Sequence, residues 1–315
     1  MTKKTNPESS GQHAIGHDAR MPMKDYPPLV HRADKASLEG QARYLSYIRS
    51  ELLIAVFAAL FSDLIHVRPE GWKIAGWSVV VLLIVGLIVQ LVRLGKRQDQ
   101  GWFEGRAVAE SGKTLTWRFM MKVHPFHDES NLETEFMNRL RSVVHGCRVS
   151  QPKTEGSAEE ITQRMRETRG YPWEKRRDFY VAARLNDQIK WYLGKAKYNS
   201  RRSRRWLAFS IFAQICAIGA AFLAIYSKEH WNFVPFVTTI AASFVAWSQA
   251  KNFDELSESY DLAHDELSQI KEDQILRATS EAAFLDAVVN SEGAISREHT
   301  MWAARSGSPV VWKIA

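Results

Sequence analysis

The run IAGWSVVVLLIVGLIVQLV, Ile74 to Val92, contains no charged residue. A helix rises 1.5 Å per residue and a bilayer core takes ~20 apolar residues, so this run is long enough to cross one. WLAFSIFAQICAIGAAFLAIY, Trp206 to Tyr226, is equally clean and carries aromatic residues at both ends, where a headgroup layer would meet them. A weaker segment stands beside each. Leu52 to Val67 includes Asp63, and Val234 to Ala250 has Pro235 near its start. Only a few polar residues, around Arg68 to Gly71 and Ser227 to His230, join each weak segment to its strong neighbour. The pattern predicts two helical hairpins. A soluble bundle with four buried helices is the alternative, and the two charge-free runs argue against it.

The rest of the composition fits that frame. The two cysteines, Cys147 and Cys216, are far apart and form neither a disulfide framework nor a zinc pattern. Residues 1–25 have no apolar core of a signal peptide and read as a disordered tail. Alternating strand patterns are missing, so the predicted class is an all-α membrane protein: two transmembrane hairpins (four spans) with long cytoplasmic helical extensions. The spans fall at about 47–67, 74–92, 206–226 and 233–250.

Lysine and arginine set the expected orientation. The turns inside the pairs hold only Arg68, Lys73 and Lys228. The flanks hold Arg43, Arg49, Arg93, Lys96 and Arg97, then Lys195, Lys197, Arg201, Arg202, Arg204 and Arg205. The positive-inside rule places both termini and the middle region in the cytoplasm, for a multi-pass membrane protein. The dense cluster ending at Arg205 abuts a span, where each charge gains ~1 kcal/mol from anionic lipid. Lipid anchoring is therefore one reading of it and capture of a phosphorylated signal molecule the other. DNA or RNA is not expected, because no aromatic-rich nucleic-acid module accompanies the cluster.

Two apolar stripes flank the second pair. Ala182, Leu185, Ile189, Tyr192, Ala196 and Asn199 lead in, and Phe253, Leu256, Tyr260, Ala263, Leu267 and Ile270 lead out, each spaced by threes and fours. Such seams predict a two-helix antiparallel stalk over about 174–205 and 251–290, formed by the spanning helices continuing into the cytoplasm. Core packing explains the stripes, and the stiff stalk they build can carry a cytoplasmic event to the membrane. Gln41-Ala42-Arg43-Tyr44-Leu45 echoes Gln188-Ile189-Lys190-Trp191-Tyr192-Leu193, one ahead of each hairpin, which favours two related modules. Helix starts are expected at Ser130 and Ser157 and helix ends at Gly146 and Gly170. The first module is placed at 26–150, a linker at 151–156, the second module at 157–305 and a tail at 306–315.

No catalytic constellation emerges, and no cofactor is called for. Ser111-Gly112-Lys113-Thr114 resembles the end of a P-loop, but Ala107 stands where the first glycine belongs and a helix-like run precedes it. His124, His127 and Asp128 lie close together without a second ligand cluster, which favours a surface loop. Glu298 and His299 lack a nucleophile. The protein is expected not to be an enzyme. Polar positions within the spans are Asp63, Gln90, Ser210, Gln214, Thr238, Thr239 and Ser243. Interhelical hydrogen bonding is their plain use, and lining a wet path in an oligomer the sharper one. Ala213, Ala217 and Ala221 form a strip for close helix packing. Asp63 is a functional candidate as an ionisable group in a span, or else an interfacial residue.

The run Trp102 to Ser111 with Lys113, Trp117 and Arg118 resembles the motif after the first hairpin of tandem SLATT proteins, the SMODS- and SLOG-associating two-transmembrane effectors of prokaryotes. Tyr180, Arg184, Gln188, Trp191, Tyr192, Lys195, Ala196 and Asn199 are similar to the pre-membrane helix of the second module, and Arg297 to Trp302 to its closing segment. The resemblance covers roughly residues 26 to 305. It implies a membrane effector of nucleotide-signalled anti-phage defence that perforates the inner membrane. A homo-oligomer is expected, since four helices enclose no path alone, with a nucleotide second messenger or a sensor protein as trigger. A non-conducting anchor that recruits a signalling partner through its stalk is the alternative.

Overall fold

The computed structural model describes residues 20–67, 72–96, 98–144, 160–226 and 233–305, and every regular element among them is helical. In chain order these are α1 (Pro28–Val67), α2 (Trp72–Lys96), α3 (Gln98–Met121), α4 (Leu132–Val144), α5 (Gln163–Arg169), α6 (Trp173–Tyr180), α7 (Asn186–Tyr226), α8 (Val234–Lys251), α9 (Phe253–Ile270) and α10 (Glu281–Arg305). Single π-helical turns, Val181–Leu185 and Lys271–Ile275, precede α7 and follow α9. The expected hairpin turns, the linker at 151–156, the start at Ser157, the end at Gly146 and the tail at 306–315 lie outside the described residues. Residues 20–25, assigned to a tail by composition, are structured: Met21 is buried and Arg20 pairs with Asp187 at 3.4 Å. Gly170 does end α5, whose start is capped by the Thr162 hydroxyl accepting from the Met165 amide.

α1 and α7 are the two long members, at 40 and 41 residues. Each is about 60 Å long, twice the hydrocarbon thickness of a bilayer. One half of each belongs to the apolar hairpins, where α1 packs on α2 and α8, and α7 on α8. The other half enters a helical body built with α3, α9 and α10.

The stalk seam forms as the spacing predicts. Leu185, Tyr192, Tyr260 and Leu267 are buried, and Ile189 and Leu256 pack against them. The Ser257 hydroxyl donates to the Ala196 carbonyl at 3.0 Å, and His264 Nδ1 lies 3.1 Å from the Ile189 carbonyl. Seven residues forward on α9 thus match seven back on α7, which fixes an antiparallel register. Ala182 is only half-buried and Ala183 takes its place. The π turn accounts for this, since its extra residue rotates the face. On α7 the seam continues past the arginines: Tyr192, Ala196, Asn199, Ser203, Ser210, Ala213 and Ala217 are buried, with Trp206 half-buried in step. Its side chains shrink from tyrosine to alanine on entering the apolar part, which lets the backbones of neighbouring helices approach closely.

The return helix departs from expectation. It breaks at Asn252, which adopts the left-handed conformation with φ 50°. The Asn252 amide donates to the Ser248 and Gln249 carbonyls, and its side chain donates to Glu255 at 2.9 Å. Asparagine accepts this conformation more readily than most residues because its short polar side chain bonds locally. The stalk is therefore continuous through α7 and jointed between α8 and α9.

α3 runs antiparallel along the first half of α1, and glycines bring the two backbones together. A Cβ on Gly105 would lie 2.9 Å from the Ser37 nitrogen, and one on Gly40 3.0 Å from the Trp102 nitrogen. Lys113, inside the P-loop-like sequence, lies within α3 with its Nζ 3.2 Å from both Asp34 and Glu110. Burial opposes its charge, but the two carboxylates outweigh burial and raise its pKa. Those four residues serve helix packing. Trp117 then joins the halves of the chain: its Nε1 donates to the Tyr26 hydroxyl at 3.0 Å, and its ring sits against Phe179 and Tyr180.

Candidate functional site

Among the described residues two helical runs are long and apolar enough to cross a membrane, Lys73–Gly95 and the end of Trp173–Tyr226. None of the first window and only 17% of the second is buried. Ile74, Leu223 and Tyr226 are 77%, 73% and 80% exposed. A core helix of a soluble protein would be covered, and monomeric proteins in water rarely present so large an apolar belt. This belt requires an apolar surrounding, or a second protein surface over it.

The polar positions within the hairpins divide into three kinds. Asp63 is buried, and its Oδ2 accepts from the Phe236 amide at 3.2 Å. That amide is one of the orphan donors in the first turn of α8, so a carboxylate from the first hairpin caps a helix of the second. Its position ties the two hairpins together. Thr238, Thr239 and Ser243 turn their hydroxyls onto their own helix, bonding the Val234, Pro235 and Thr239 carbonyls at 2.7–3.0 Å. This corrects the expectation of bonds between helices: a carbonyl one turn back lies closer than any neighbouring helix. Ser210 lies on the buried Ala213 and Ala217 face, whereas Gln214 and Gln90 are exposed. Gln214, one turn after Ser210, falls one residue past Ala213, at the exposed edge of the seam.

The basic cluster is largely open. Arg201, Arg204, Arg205, Lys195 and Lys197 are exposed, and Arg204 donates to the Ser200 hydroxyl. Four nearby cations have aromatic partners: Arg202 over Tyr198 at 5.3 Å, Lys195 over Trp191 at 5.5 Å, Lys251 over Phe253 at 6.0 Å and Arg49 over Trp247 at 5.4 Å. Arg49 and Lys251 carried no site signal in the sequence. Only topology assembles them, by returning α8 to the level where α1 and α7 leave the apolar belt.

Two of these cations, Lys195 and Lys251, line a cavity of about 1030 Å³ between the first halves of α1 and α3 on one side and α7 and α9 on the other. Trp102, Phe103 and Arg106 line one wall, and Gln188, Trp191 and Lys195 the other. The run from Trp102 to Ser111 and the stretch from Tyr180 to Asn199, one from each half of the chain, thus face a common space. Arg184 reaches the same cavity from a buried network. Its Nε and Nη2 each donate at 2.9 Å to Glu292, which also accepts from the Tyr180 hydroxyl at 2.9 Å. Both charged side chains are essentially inaccessible, at 2% and 0%. Burial alone would lower the Arg184 pKa, but the adjacent carboxylate overrides it and raises it. Burial, reinforced by Glu292, also drives the Tyr180 hydroxyl upward, so it stays a neutral donor. Glu292 had no sequence signal beyond being one acid in an apolar stretch of α10.

Residues 27–177 match the family model described as SMODS and SLOG-associating 2TM effector domain 3, and residues 180–302 match that of SMODS and SLOG-associating 2TM effector domain 1. No curated protein and no solved structure matches the chain.

Proposed function

The chain is a tandem SLATT-domain protein, and from that membership we propose that it is a membrane effector whose copies assemble into a pore through the inner membrane. Each SLATT domain supplies two transmembrane helices, so the second half of α1 and α8 complete the hairpins begun by α2 and α7. The positive-inside distribution then puts both termini and the helical body in the cytoplasm. In this reading the pore opens during nucleotide-signalled anti-phage defence and acts by permeabilising the membrane, without catalysis.

One observation carries the assembly. Gln214 stands exposed on α7, about 12 Å into the apolar run that begins at Trp206. An amide facing hydrocarbon loses its hydrogen bonds, whereas one facing another helix or a wet path keeps them. A second copy of the chain supplies that partner. Activated wild-type protein in a bacterial host is expected to collapse the membrane potential read by a voltage-sensitive dye. Gln214→Leu should insert to the same level and leave the membrane polarised. A polarised membrane with the activated wild type would count against the pore. The self-bonded hydroxyls of Thr238, Thr239 and Ser243 favour the second reading, a non-conducting anchor that recruits a partner through the stalk. Stalk changes such as Leu185→Asp or Leu256→Asp would then abolish function while Gln214→Leu does not.

A further inference from the structure

Of the four cations seated on aromatic rings, Lys195 and Lys251 line the cavity, and Arg49 and Arg202 lie close enough to act on Lys251. Among the described residues, no carboxylate lies within ion-pair distance of Arg49, Lys195, Arg202 or Lys251. The acids that line the cavity have partners of their own: Asp34 and Glu110 share Lys113, Asp187 pairs with Arg20, and Glu255 accepts from the Asn252 side chain. Lys251, just past the apolar part of α8, feels the result. Half-burial lowers its pKa, and Arg49, Lys195 and Arg202 lower it further. A half-buried cation such as Lys251, set among like charges, gains when an anion arrives.

The cavity beside these cations is chemically matched to a particular anion. Its volume of about 1030 Å³ stands at the top of the range of ~300–1,000 Å³ for ligand pockets. Trp102, Phe103, Trp191 and Tyr44 put aromatic rings in its walls, Trp102 stacked on Phe103 and Trp191 beneath Lys195. Lysine and arginine recognise phosphate, and indole and phenyl faces recognise a flat ring. From this combination we infer that the cavity between the two SLATT domains is a binding site for an organic phosphate bearing an aromatic ring, its phosphate held by Lys195 and Lys251 and its ring among Trp102 and Trp191. The exposed Arg201, Arg204 and Arg205 do not line it. It also touches Gln249 through Phe253, on both sides of the Asn252 joint. A ligand there bridges α3 of the first domain to the point where α8 bends into α9. A lipid headgroup offers the phosphate without the ring, and is the competing occupant that a test must separate from a soluble ring-bearing phosphate.

The inference goes beyond the pore reading and does not depend on it, because its test reads binding alone. The full chain is placed in nanodiscs of phosphatidylcholine and titrated with trinitrophenyl-ATP, an aromatic polyphosphate whose fluorescence rises on binding. Saturable binding is expected. Lys195→Gln with Lys251→Gln should weaken it at least about tenfold. Lys195→Arg with Lys251→Arg should retain it, which separates lost charge from lost fold. Arg201→Gln with Arg204→Gln and Arg205→Gln should leave it unchanged. Adding phosphatidylglycerol to the discs separates the two: competition with the probe assigns the site to a headgroup phosphate and overturns the ring-bearing ligand, and undiminished binding supports it. No saturable binding, or binding that the surface variant loses and the Lys195 and Lys251 variant keeps, overturns the proposal.

Discussion

Glu292→Ala should destabilise the cytoplasmic body by about 3–5 kcal/mol, because it strands the Arg184 guanidinium in a place water does not reach. The carboxylate accepts from both nitrogens of Arg184 and from the Tyr180 hydroxyl, so one truncation leaves three buried donors without an acceptor. Pairing it with Arg184→Met should recover most of the loss, since two apolar side chains can replace a buried ion pair at little cost. Thermal unfolding of the detergent-purified variants checks both statements. A single variant as stable as wild type would show that the pair does not hold α10 against the helices it joins.

The second large effect is steric. Gly105→Leu would drive a side chain into the backbone of α1, where the Ser37 nitrogen and the Ala33 carbonyl oxygen lie 2.9 and 3.1 Å from the would-be Cβ. Backbone atoms in a helix cannot rotate aside, so α1 and α3 must separate along a crossing that also includes Gly40 and Gly112. The loss is expected to reach about 3 kcal/mol, at the upper end for overpacked cores. Gly194→Ala is the matched control on α7. Nothing lies within 4 Å of its added methyl, and helix propensity should make it stabilising by up to ~1 kcal/mol. Limited proteolysis of the two variants gives the comparison, and a Gly105 variant as resistant as wild type would contradict the close crossing.

Local periodicity made the hairpins and the stalk readable, because charge-free length and three-four spacing are properties of contiguous residues. Leu185, Tyr192, Tyr260 and Leu267 fall where that spacing puts them. The shift from Ala182 to Ala183 was not readable, since a π turn leaves no mark in the apolar pattern. The break at Asn252 was marked only by a single asparagine. Asp63 was visible as an anomaly, but its partner is an amide 173 positions away that no spacing rule reaches. The same holds for the cavity. Its two walls were noticed as separate motifs, and only the packing of α1 with α3 and of α7 with α9 turns them toward each other. The arginine run at 201–205 was the most conspicuous charge feature, yet the cations that crowd together are Arg49, Lys195, Arg202 and Lys251, drawn from three helices.

The central claim is that copies of this chain conduct. Purified protein fused into a planar lipid bilayer, held at a fixed voltage under activating conditions, measures that directly. Discrete current steps that disappear in Gln214→Leu are the predicted result. A protein that inserts fully, binds its neighbours and passes no current would contradict the pore and leave the anchor.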